Sequence, residues 1–420
     1  MVVTSEFTFY VGVDWATEHH QVCILDCDGR MVRQQRVEHS GKALTDFMVS
    51  MEDLAQGQVD RIAVAIEVPR GPVVEAFLEH RWAVFAINPK QLDRFRDRHT
   101  VAGAKDDSRD AFVLADSLRT DQRCFRRLSA DHPAIVRIRE LSRTEDHVGA
   151  DLRRTVNQLY QLLLRYYPQL LQICPTPDEP WIWALLEVAP TPERAGKLKV
   201  QRIRQLLAKH RIRRWSAEKV AEILSAPQLP LASGTADAVS EHALLLVPQL
   251  RLLSTMRKQV ADRMEALLDE MASSSDDTPE AQVFRDVAVL CSLPGIGRVV
   301  SGALLAEAAG PLRQRDYYAI RAHGGVAPVT RQSGKTRQVG MRYRCNTRLR
   351  NALYHWARTS VQHDPRSKQQ YARLRAAGHS HGRALRGVTD RLLTVLMAML
   401  KSGQAYDPTR RQSNVSALVA

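Results

Sequence analysis

Three patterns that would place a protein in a membrane, on a secretory route or in an oxidising compartment are missing from this 420-residue chain. No apolar run reaches the roughly 18–20 residues that a membrane-spanning helix requires. The N-terminal residues lack the basic and apolar regions of a signal peptide. The six cysteines are scattered without a Cys-x-x-Cys pair, which argues against structural zinc and is typical of a reducing cytosol. We therefore expect a cytoplasmic protein.

Acidic residues are scarce in one long window of the C-terminal half. Between residues 311 and 386, 17 lysines and arginines stand against two acids, Asp316 and Asp364. This window alone carries a net charge of +15. The whole chain has a formal net charge of +14, so the remaining residues together are close to neutral. Such concentrated charge usually indicates a polyanionic partner, although a basic face kept for solubility gives the same pattern. We expect a nucleic acid rather than a membrane surface.

The first 130 residues alternate strand and helix patterns. Strands are predicted at Phe7–Trp15, Gln21–Asp26, Met31–Val37, Ile62–Glu67 and Trp82–Ile87, and helices at Gly41–Ala55, at Gly71–His80 and from Asp107 onward. The order βββαβαβα is that of the ribonuclease-H-like fold, in which the first and fourth strands lie side by side. The charged segment Lys90–Lys105 is expected to be mobile until substrate binds.

Four carboxylates stand at the ends of these elements. Asp14 and Glu67 each close an apolar strand, and Asp107 and Asp110 open the last helix at positions i and i+3 of one face. Acids gathered at one sheet edge repel one another unless a hard cation holds them. Oxygen ligands around open positions suit Mg²⁺ or Mn²⁺, and such an ion would polarise a phosphodiester.

The middle region, from about Asp131 to Met271, is predicted to be helical. Two apolar series have heptad-like spacing: Ile138, Leu141, Val148, Leu152, Leu159, Leu162 and Tyr166, and then Leu246, Leu250, Leu253, Val260, Met264, Leu267 and Met271. The spacing suggests a coiled-coil arm, either an internal hairpin or a dimerisation element, and ordinary bundle packing explains it almost as well. Each series carries one charge at a core position, Glu145 and Arg257. The basic run Lys197–Arg214 is a second candidate nucleic-acid contact.

Two motifs mark the third region, which starts near Glu280. The sequence Leu-Pro-Gly-Ile-Gly-Arg at Leu293–Arg298 precedes a helix, as in a helix-hairpin-helix turn. Gly295 and Gly297 would let backbone N–H groups approach a phosphate. A plain tight turn between two helices has the same pattern, so both interpretations stay open.

The second motif is Ser333-Gly334-Lys335-Thr336. It is not a P-loop, because Val329 stands where a P-loop has glycine and no buried strand precedes it, so ATP binding is excluded. Nearby cations would offset the charge of a phosphodiester, but a serine hydroxyl becomes a nucleophile only when a base or a metal-bound hydroxide takes its proton. On chemistry alone, Ser333 is either a phosphate contact, a turn residue or a nucleophile activated from elsewhere.

The chain resembles the DEDD-type transposases of bacterial insertion sequences, the insertion sequence one-ten family of RNA-guided recombinases. The resemblance is carried by motifs at Val11–Asp14, Ala65–Glu67, Asn88–Pro89 and Lys105–Ala111, and by Leu293–Gly297, Gly325–Pro328, Gln332–Lys335 and Arg348–Leu353. Asp106 departs from the pattern, because the family usually has threonine or serine there. Either Asp106 or Asp107 is therefore a possible metal ligand.

The resemblance implies a RuvC-like catalytic domain at residues 1–130, whose metal ligands are Asp14, Glu67, Asp107 and Asp110. It implies a coiled-coil region followed by a transposase domain whose catalytic serine is Ser333. From the sequence patterns, we set the bounds of these two regions at residues 131–280 and 281–420. The resemblance also implies a homo-oligomer, dimer or tetramer, in which metal site and serine come from different subunits. A bridge RNA would pair with double-stranded donor and target DNA in the bacterial cytoplasm, near the nucleoid.

The hypothesis from sequence is a DNA transposase that forms a transient serine–DNA ester. The expected nucleic-acid contacts are Lys105, Gly295, Gly297, Arg298, Arg331, Lys335, Arg337, Arg342, Arg344 and Arg348. An alternative is a metal-dependent junction resolvase or nuclease in which water attacks. The density of acids at strand ends argues against a non-catalytic binding protein.

Overall fold

The computed structural model describes residues 6–99, 106–273, 281–334 and 336–408. Two compact units, Met1–Asp131 and His132–Ala420, divide the chain. The first is mixed α/β and the second is mostly helical, which confirms the predicted fold class at this level. The predicted domain boundary between residues 280 and 281 stays a prediction.

One six-stranded mixed sheet forms the centre of the first unit. Its strands are β1 (Phe9–Asp14), β2 (His19–Asp26), β3 (Met31–Glu38), β4 (Ile62–Ile66), β5 (Ala83–Ala86) and β6 (Arg126–Arg127). They are ordered β3-β2-β1-β4-β5-β6. β1, β4 and β5 run parallel, and β2, β3 and β6 pair antiparallel to their neighbours. The predicted adjacency of the first and fourth strands is confirmed, with Val13 opposite Ile66.

Helices cover both faces of this sheet, and they are α1 (Gly41–Leu54), α2 (Pro72–Glu79), α3 (Pro89–His99) and α4 (Asp107–Asp121). One core joins α1 and α2 to one sheet face, which includes Val11, Val13 and Val64. The other core joins α3 and α4 to the opposite face, which includes Tyr10 and Ala65. Because both faces are covered, the central strands are apolar throughout.

The segment Lys90–Lys105, for which the sequence predicted no element, is helical in the part that the structure describes, and its expected mobility stays a prediction. α3 occupies Pro89–His99, while residues 100–105 lie outside the described ranges. The apolar signal of α3 is thin, since Leu92 is buried and Phe95 packs only partly against the core. Ion pairs from Arg96 and Arg98 to acids of α4 supply the remaining contacts, and sequence periodicity does not register them.

The second unit contains thirteen helices and one hairpin within the described residues. They are α5 (Pro133–Tyr166), α6 (Pro168–Ile173), α7 (Pro180–Val188), α8 (Pro192–Gly196), α9 (Val200–Lys209), α10 (Ala217–Leu224), α11 (Thr235–Ser273), α12 (Ala281–Cys291), α13 (Arg298–Arg313), α14 (Tyr317–His323), β7 (Val329–Ser333), β8 (Thr336–Gly340), α15 (Thr347–His363), α16 (Pro365–Ala376) and α17 (His381–Ser402). Proline opens α5 to α8 and α16, because a first-turn residue needs no N–H for the helix.

The long helices α5 and α11 pack against each other within the chain. The end of α5 shares a core with the start of α11, and the start of α5 shares another with the end of α11, so the two run antiparallel. Arg257 Nε donates to Glu145 Oε1 at 2.8 Å, so the two charges noticed at core positions are partners. The two helices therefore pair within the chain, and the coiled coil and its use in dimerisation stay predictions.

Candidate functional site

Two of the four predicted acids stand at the ends of neighbouring parallel strands. Asp14 is the last residue of β1, and Glu67 directly follows β4. Val13 and Ile66 are partners in the ladder, so Asp14 and Glu67 leave the sheet side by side. Both are half-buried. The sequence argument for this juxtaposition relied only on strand order, and that order is present.

The other two acids lie in the first turn of α4, and three contacts fix where this turn sits. Gln21, the ladder partner of Asp14, donates from Nε2 to Ser108 Oγ at 3.2 Å. Gln34 donates from Nε2 to the Ser108 carbonyl at 2.8 Å. The Asp106 side chain caps the helix by accepting the Ser108 N–H at 3.2 Å. The start of α4 is therefore held against β2 and β3, beside the end of β1.

Gly12 brings α4 into direct contact with β1. A Cβ on Gly12 would lie 1.9 Å from the Ala111 carbonyl oxygen and 2.7 Å from the Ala115 nitrogen. Strand side chains alternate between faces, so Asp14 shares the face of Gly12, and Glu67 follows the alternation of Ala63 and Ala65 towards α4. All four acids thus belong to one face and one edge of the sheet.

Asp110 is the buried member of this group and carries an arginine. It is 3% exposed, and its two carboxylate oxygens accept from Arg96 Nε at 2.6 Å and from a second guanidinium nitrogen at 2.8 Å. Arg96 also pairs with Asp93. Burial acts to lower the pKa of Arg96, but the hydrogen bond to Asp110 and the charges of Asp110, Asp93 and Glu67 outweigh it, so this pKa is raised.

The four carboxylates do not close into a tight ligand set in this conformation. Across the described ranges, three ligand atoms within 4.8 Å of one another occur only at Cys174, Asp178 and Glu179. Glu179 there accepts from Trp181 and Arg214, and Cys174 donates to the Thr176 carbonyl, so that group has protein partners already. The predicted acids lie along the same edge of the sheet, but their carboxylate oxygens do not form a ligand set, and Asp110 is paired with Arg96.

The predicted serine lies at the tip of the β7–β8 hairpin. Ser333 is the last residue of β7, pairs with Thr336, and is exposed. Gly334 has φ of +54°, which a glycine adopts at little cost. Arg331 and Arg337 are also exposed on this hairpin. Lys335, like Lys105 in the first unit, lies outside the described residues.

The remaining predicted arginines differ in how much of their charge is available. Arg344 is exposed, and Arg342 donates to the Ala327 carbonyl at 3.3 Å. Arg348 is paired with Glu307 at 3.2 Å and with Asp146 at 3.1 Å. Its guanidinium is therefore used inside the helical unit, where it joins α15 to α13 and α5.

The predicted helix-hairpin-helix turn is packed against α15. Gly295 has φ of +75°, and a Cβ there would lie 2.6 Å from Ser360 Oγ and 2.7 Å from its nitrogen. The Pro294 carbonyl accepts from Ser360 Oγ and from Trp356 Nε1. Gly297 caps α13 and is exposed, while Arg298 pairs with Asp262 and Glu265 of α11. Packing against Ser360 is enough to explain the glycine at position 295. Gly297 has no such contact, so its predicted role as a phosphate contact stays a prediction.

Comparisons with known proteins decide the family. A DEDD-type IS110 model described as a transposase matches residues 11–168, and a model of the IS116/IS110/IS902 transposase family matches residues 287–372. A candidate mini-circle transposase for IS117 from Streptomyces coelicolor is 32% identical over 415 residues, which is 97% of both chains. The chain belongs to the IS110 family of transposases.

Two further relatives agree with this assignment. A candidate transposase from Sinorhizobium fredii, y4uE, is 43% identical over 226 residues, which is 53% of this chain and 62% of that protein. A 44.8 kDa protein of insertion element IS116 from Streptomyces clavuligerus is 25% identical over 408 residues, 96% of this chain and 98% of that protein.

As an IS110-family transposase, the protein is an enzyme that cleaves and recombines DNA. Its DEDD-type domain implies a divalent metal. The four carboxylates at this sheet edge are suitable ligands for such a metal ion. The buried carboxylate, Asp110, is already paired with a positive charge, that of Arg96. Among the described helices of this transposase, none has the length and apolarity needed to cross a membrane.

Sequence reasoning missed the residues that position the acids. Gln21, Gln34 and Gly12 act through contacts between elements, and a polar residue in an exposed strand gives no signal of such a contact. Arg96 was missed because its segment was expected to be mobile. Its one available signal was spacing, since Asp93 and Arg96 lie at i and i+3 of a helix face.

Proposed function

We propose that this transposase exchanges DNA strands through a covalent serine–DNA intermediate. Ser333 Oγ forms a bond to a backbone phosphorus atom while one P–O bond of the DNA breaks. A base takes the serine proton, and the leaving sugar oxygen takes one up, so charge balances. The ester retains the energy of the broken bond, which allows rejoining to another strand.

The observation that carries the metal-dependent part of the proposal is the meeting of Asp14, Glu67 and the first turn of α4 at one sheet edge, and the exposed Ser333 at the tip of the hairpin supports the covalent step. We infer a ribonuclease-H-like, RuvC-like domain from this edge together with the strand order. Asp14, Glu67, Asp107 and Asp110 would ligate Mg²⁺ or Mn²⁺, and the bound ion would polarise the phosphodiester. Asp107 is preferred over Asp106, whose carboxylate is used as the cap of α4.

Exposed cations supply the inferred DNA-binding surface. Arg331, Arg337 and Arg344 are exposed around the serine hairpin and would neutralise backbone phosphates, with Lys335 beside them in sequence. On α9, Arg202 and Lys209 are exposed on one face and continue into the exposed Arg211. Replacing Arg331 or Arg344 by alanine should lower DNA affinity for all sequences and reduce the salt slope by about 1 each.

The resemblance to RNA-guided recombinases extends the proposal to two partners. Sequence specificity would come mainly from a bridge RNA that pairs with donor and target DNA, while the protein reads backbone and shape. A homo-oligomer would bring the acids of one subunit to the serine of another. An exposed apolar stripe on α11, formed by Leu245, Leu252 and Met256, supports self-association.

The competing mechanism is hydrolysis, in which the acid cluster activates water and Ser333 only contacts phosphate. The test is a denaturing gel of the full-length protein with labelled DNA, its co-purified RNA and Mg²⁺. We expect a protein–DNA adduct that Ser333→Ala abolishes and that Thr336→Val, across the same hairpin, retains. Asp14→Asn should remove cleavage altogether.

Two outcomes of this gel separate the mechanisms. Free DNA ends with no adduct, at equal yield in the parent and in Ser333→Ala, would establish hydrolysis. Full cleavage by Asp14→Asn would remove the acid cluster from the chemistry and contradict both mechanisms.

A further inference from the structure

α3 places an arginine directly on one of the four acids that the proposed metal site requires. The Arg96 guanidinium donates to both oxygens of Asp110, at 2.6 and 2.8 Å. It also pairs with Asp93, and the charge of Glu67 acts on it. A single guanidinium thus balances the only buried carboxylate of the cluster and lies within the field of a second.

We propose that Arg96 is a built-in counter-cation that occupies the acid cluster until a divalent metal displaces it. This inference rests on the proposed role of the acids as metal ligands. Both oxygens of Asp110 accept hydrogen bonds from Arg96, and the positive charge of the guanidinium repels a second cation at the same carboxylate, so a metal ion binds Asp110 more weakly while Arg96 stays in place. Arginine and metal therefore compete for the same carboxylate.

The surroundings of Arg96 make the exchange physically reasonable. Asp110 is nearly fully buried, and an ionised carboxylate in that position requires a compensating charge. The Arg96 side chain is 27% exposed, so the guanidinium has a route to solvent. Arg98, two residues along α3, pairs with Asp121 and adds a second tie between α3 and α4. α3 keeps that attachment when Arg96 leaves.

The exchange predicts two properties of the metal-free protein. The buried carboxylate of Asp110 stays paired and the site stays folded without metal, because the guanidinium of Arg96 satisfies Asp110. Metal affinity is correspondingly lower than four carboxylates alone would give, because binding includes the loss of a bidentate, charge-assisted pair. A residue that only stapled α3 to α4 would give the first property without the second.

The experiment measures Mn²⁺ binding to the full-length protein, by calorimetry and by the electron paramagnetic resonance signal of free Mn²⁺. Arg96→Gln should bind Mn²⁺ about 10- to 100-fold more tightly than the parent, because the competing charged hydrogen bonds are gone. Arg98→Gln is the matched control, with the same charge change on the same helix, and should stay within about threefold of the parent. Its partner Asp121 lies about 21 Å along α4 from Asp107.

A second variant and a second readout guard against misfolding. Arg96→Lys keeps the charge but loses the bidentate geometry, so its affinity should fall between the parent and Arg96→Gln. In thermal unfolding, Arg96→Gln should melt lower than the parent without metal and should gain more on addition of Mn²⁺.

The outcomes distinguish this inference from the proposed metal site. If Asp14→Asn abolishes Mn²⁺ binding but Arg96→Gln binds no more tightly than Arg98→Gln, the competition is wrong and the metal site stands. If neither the parent nor Arg96→Gln binds Mn²⁺ through these acids, the metal site and the competition are both wrong.

Discussion

At the scale of single residues, the geometry of the acid cluster depends on the lack of a side chain at Gly12. Gly12 allows the backbone of α4 to lie against β1, and this contact puts the first turn of α4 beside Asp14. Any larger residue would hold the helix away from the sheet. Asp107 and Asp110 would then move away from the strand-end acids.

Substitution of Gly12 tests this contact. Gly12→Ala places a Cβ 1.9 Å from the Ala111 carbonyl, so we expect a loss of about 2–3 kcal/mol in the free energy of unfolding. Gly41→Ala is the control, because a Cβ at Gly41 meets nothing within 4 Å, and it should leave stability equal or higher. Urea denaturation measures both. A Gly12→Ala protein as stable as the parent would show that α4 can withdraw at no cost.

A buried histidine next to the site, His20, gives a second prediction at this scale. His20 Nδ1 accepts the Ala16 N–H at 3.3 Å, so the neutral ring carries its proton on Nε2, which lies 3.0 Å from His39 Nδ1. Burial, with the charges of His39 and His19, lowers the pKa of His20 to about 4. The folded protein therefore resists protonation at this ring.

The sign of the pH dependence follows from that direction. An unfolded histidine takes up a proton near pH 6.5, whereas folded His20 does so near pH 4. Stability is complete above about pH 6.5 and is lost as pH falls towards 4, by no more than about 3 kcal/mol. His20→Gln should flatten this part of the stability curve, measured by urea denaturation from pH 4 to 7. An unchanged slope in the variant would assign the dependence to other groups.

At the scale of elements, the α5–α11 pair owes its register to a charge pair as well as to apolar packing. Glu145 is 5% exposed at its side chain and faces Arg257, which is 45% exposed. The apolar series on both sides would pack in more than one register if slipped by a heptad. A buried acid on one helix that pairs with a cation on the other favours the register that joins them.

Replacing only one partner of this pair should lower the free energy of unfolding more than replacing both. Arg257→Met leaves Glu145 buried without a counter-charge, and we expect a loss of about 1–3 kcal/mol, less than for a fully buried pair because Arg257 is partly solvated. The double variant Glu145→Met with Arg257→Met should recover most of that loss. Urea unfolding followed by circular dichroism of the helices gives the double-mutant cycle. Additive losses would show that the two side chains do not interact.

At the scale of the whole molecule, α11 carries an exposed apolar stripe. Leu245, Leu252 and Met256 are 69%, 61% and 39% exposed and recur at intervals of seven and four on α11. That spacing forms one stripe on a helix and is typical of a seam between two helices. Since α5 covers another face of α11, we propose this stripe as the contact between two copies of the chain.

Removing the stripe should change the oligomeric state. Replacing Leu245 and Leu252 by glutamate together should reduce the mass of the particle, measured by light scattering after size-exclusion chromatography. Leu229→Glu is the control, because Leu229 is 43% exposed but lies outside α11. Equal masses for all three proteins would assign self-association to another surface.

The amino-acid sequence by itself determined the elements that depend on local pattern. The strand positions of the first unit, the four acids at strand and helix ends, the long helices and the family motifs could all be read from it. These features are local because alternation, heptad spacing and strand-end position involve neighbours in the chain. The same reasoning identified Glu145 and Arg257 as unusual charges, although not as partners.

Tertiary structure decided which of those charges remain available. Arg348 and Arg298 look in sequence like Arg331 and Arg344, but the first two are paired with acids from distant helices and the last two are exposed. α3 and the placement of Arg96 on Asp110 likewise depend on an ion pair between elements. The neutralisation of a charge depends on distances across the fold, and residue order along the chain carries no measure of those distances.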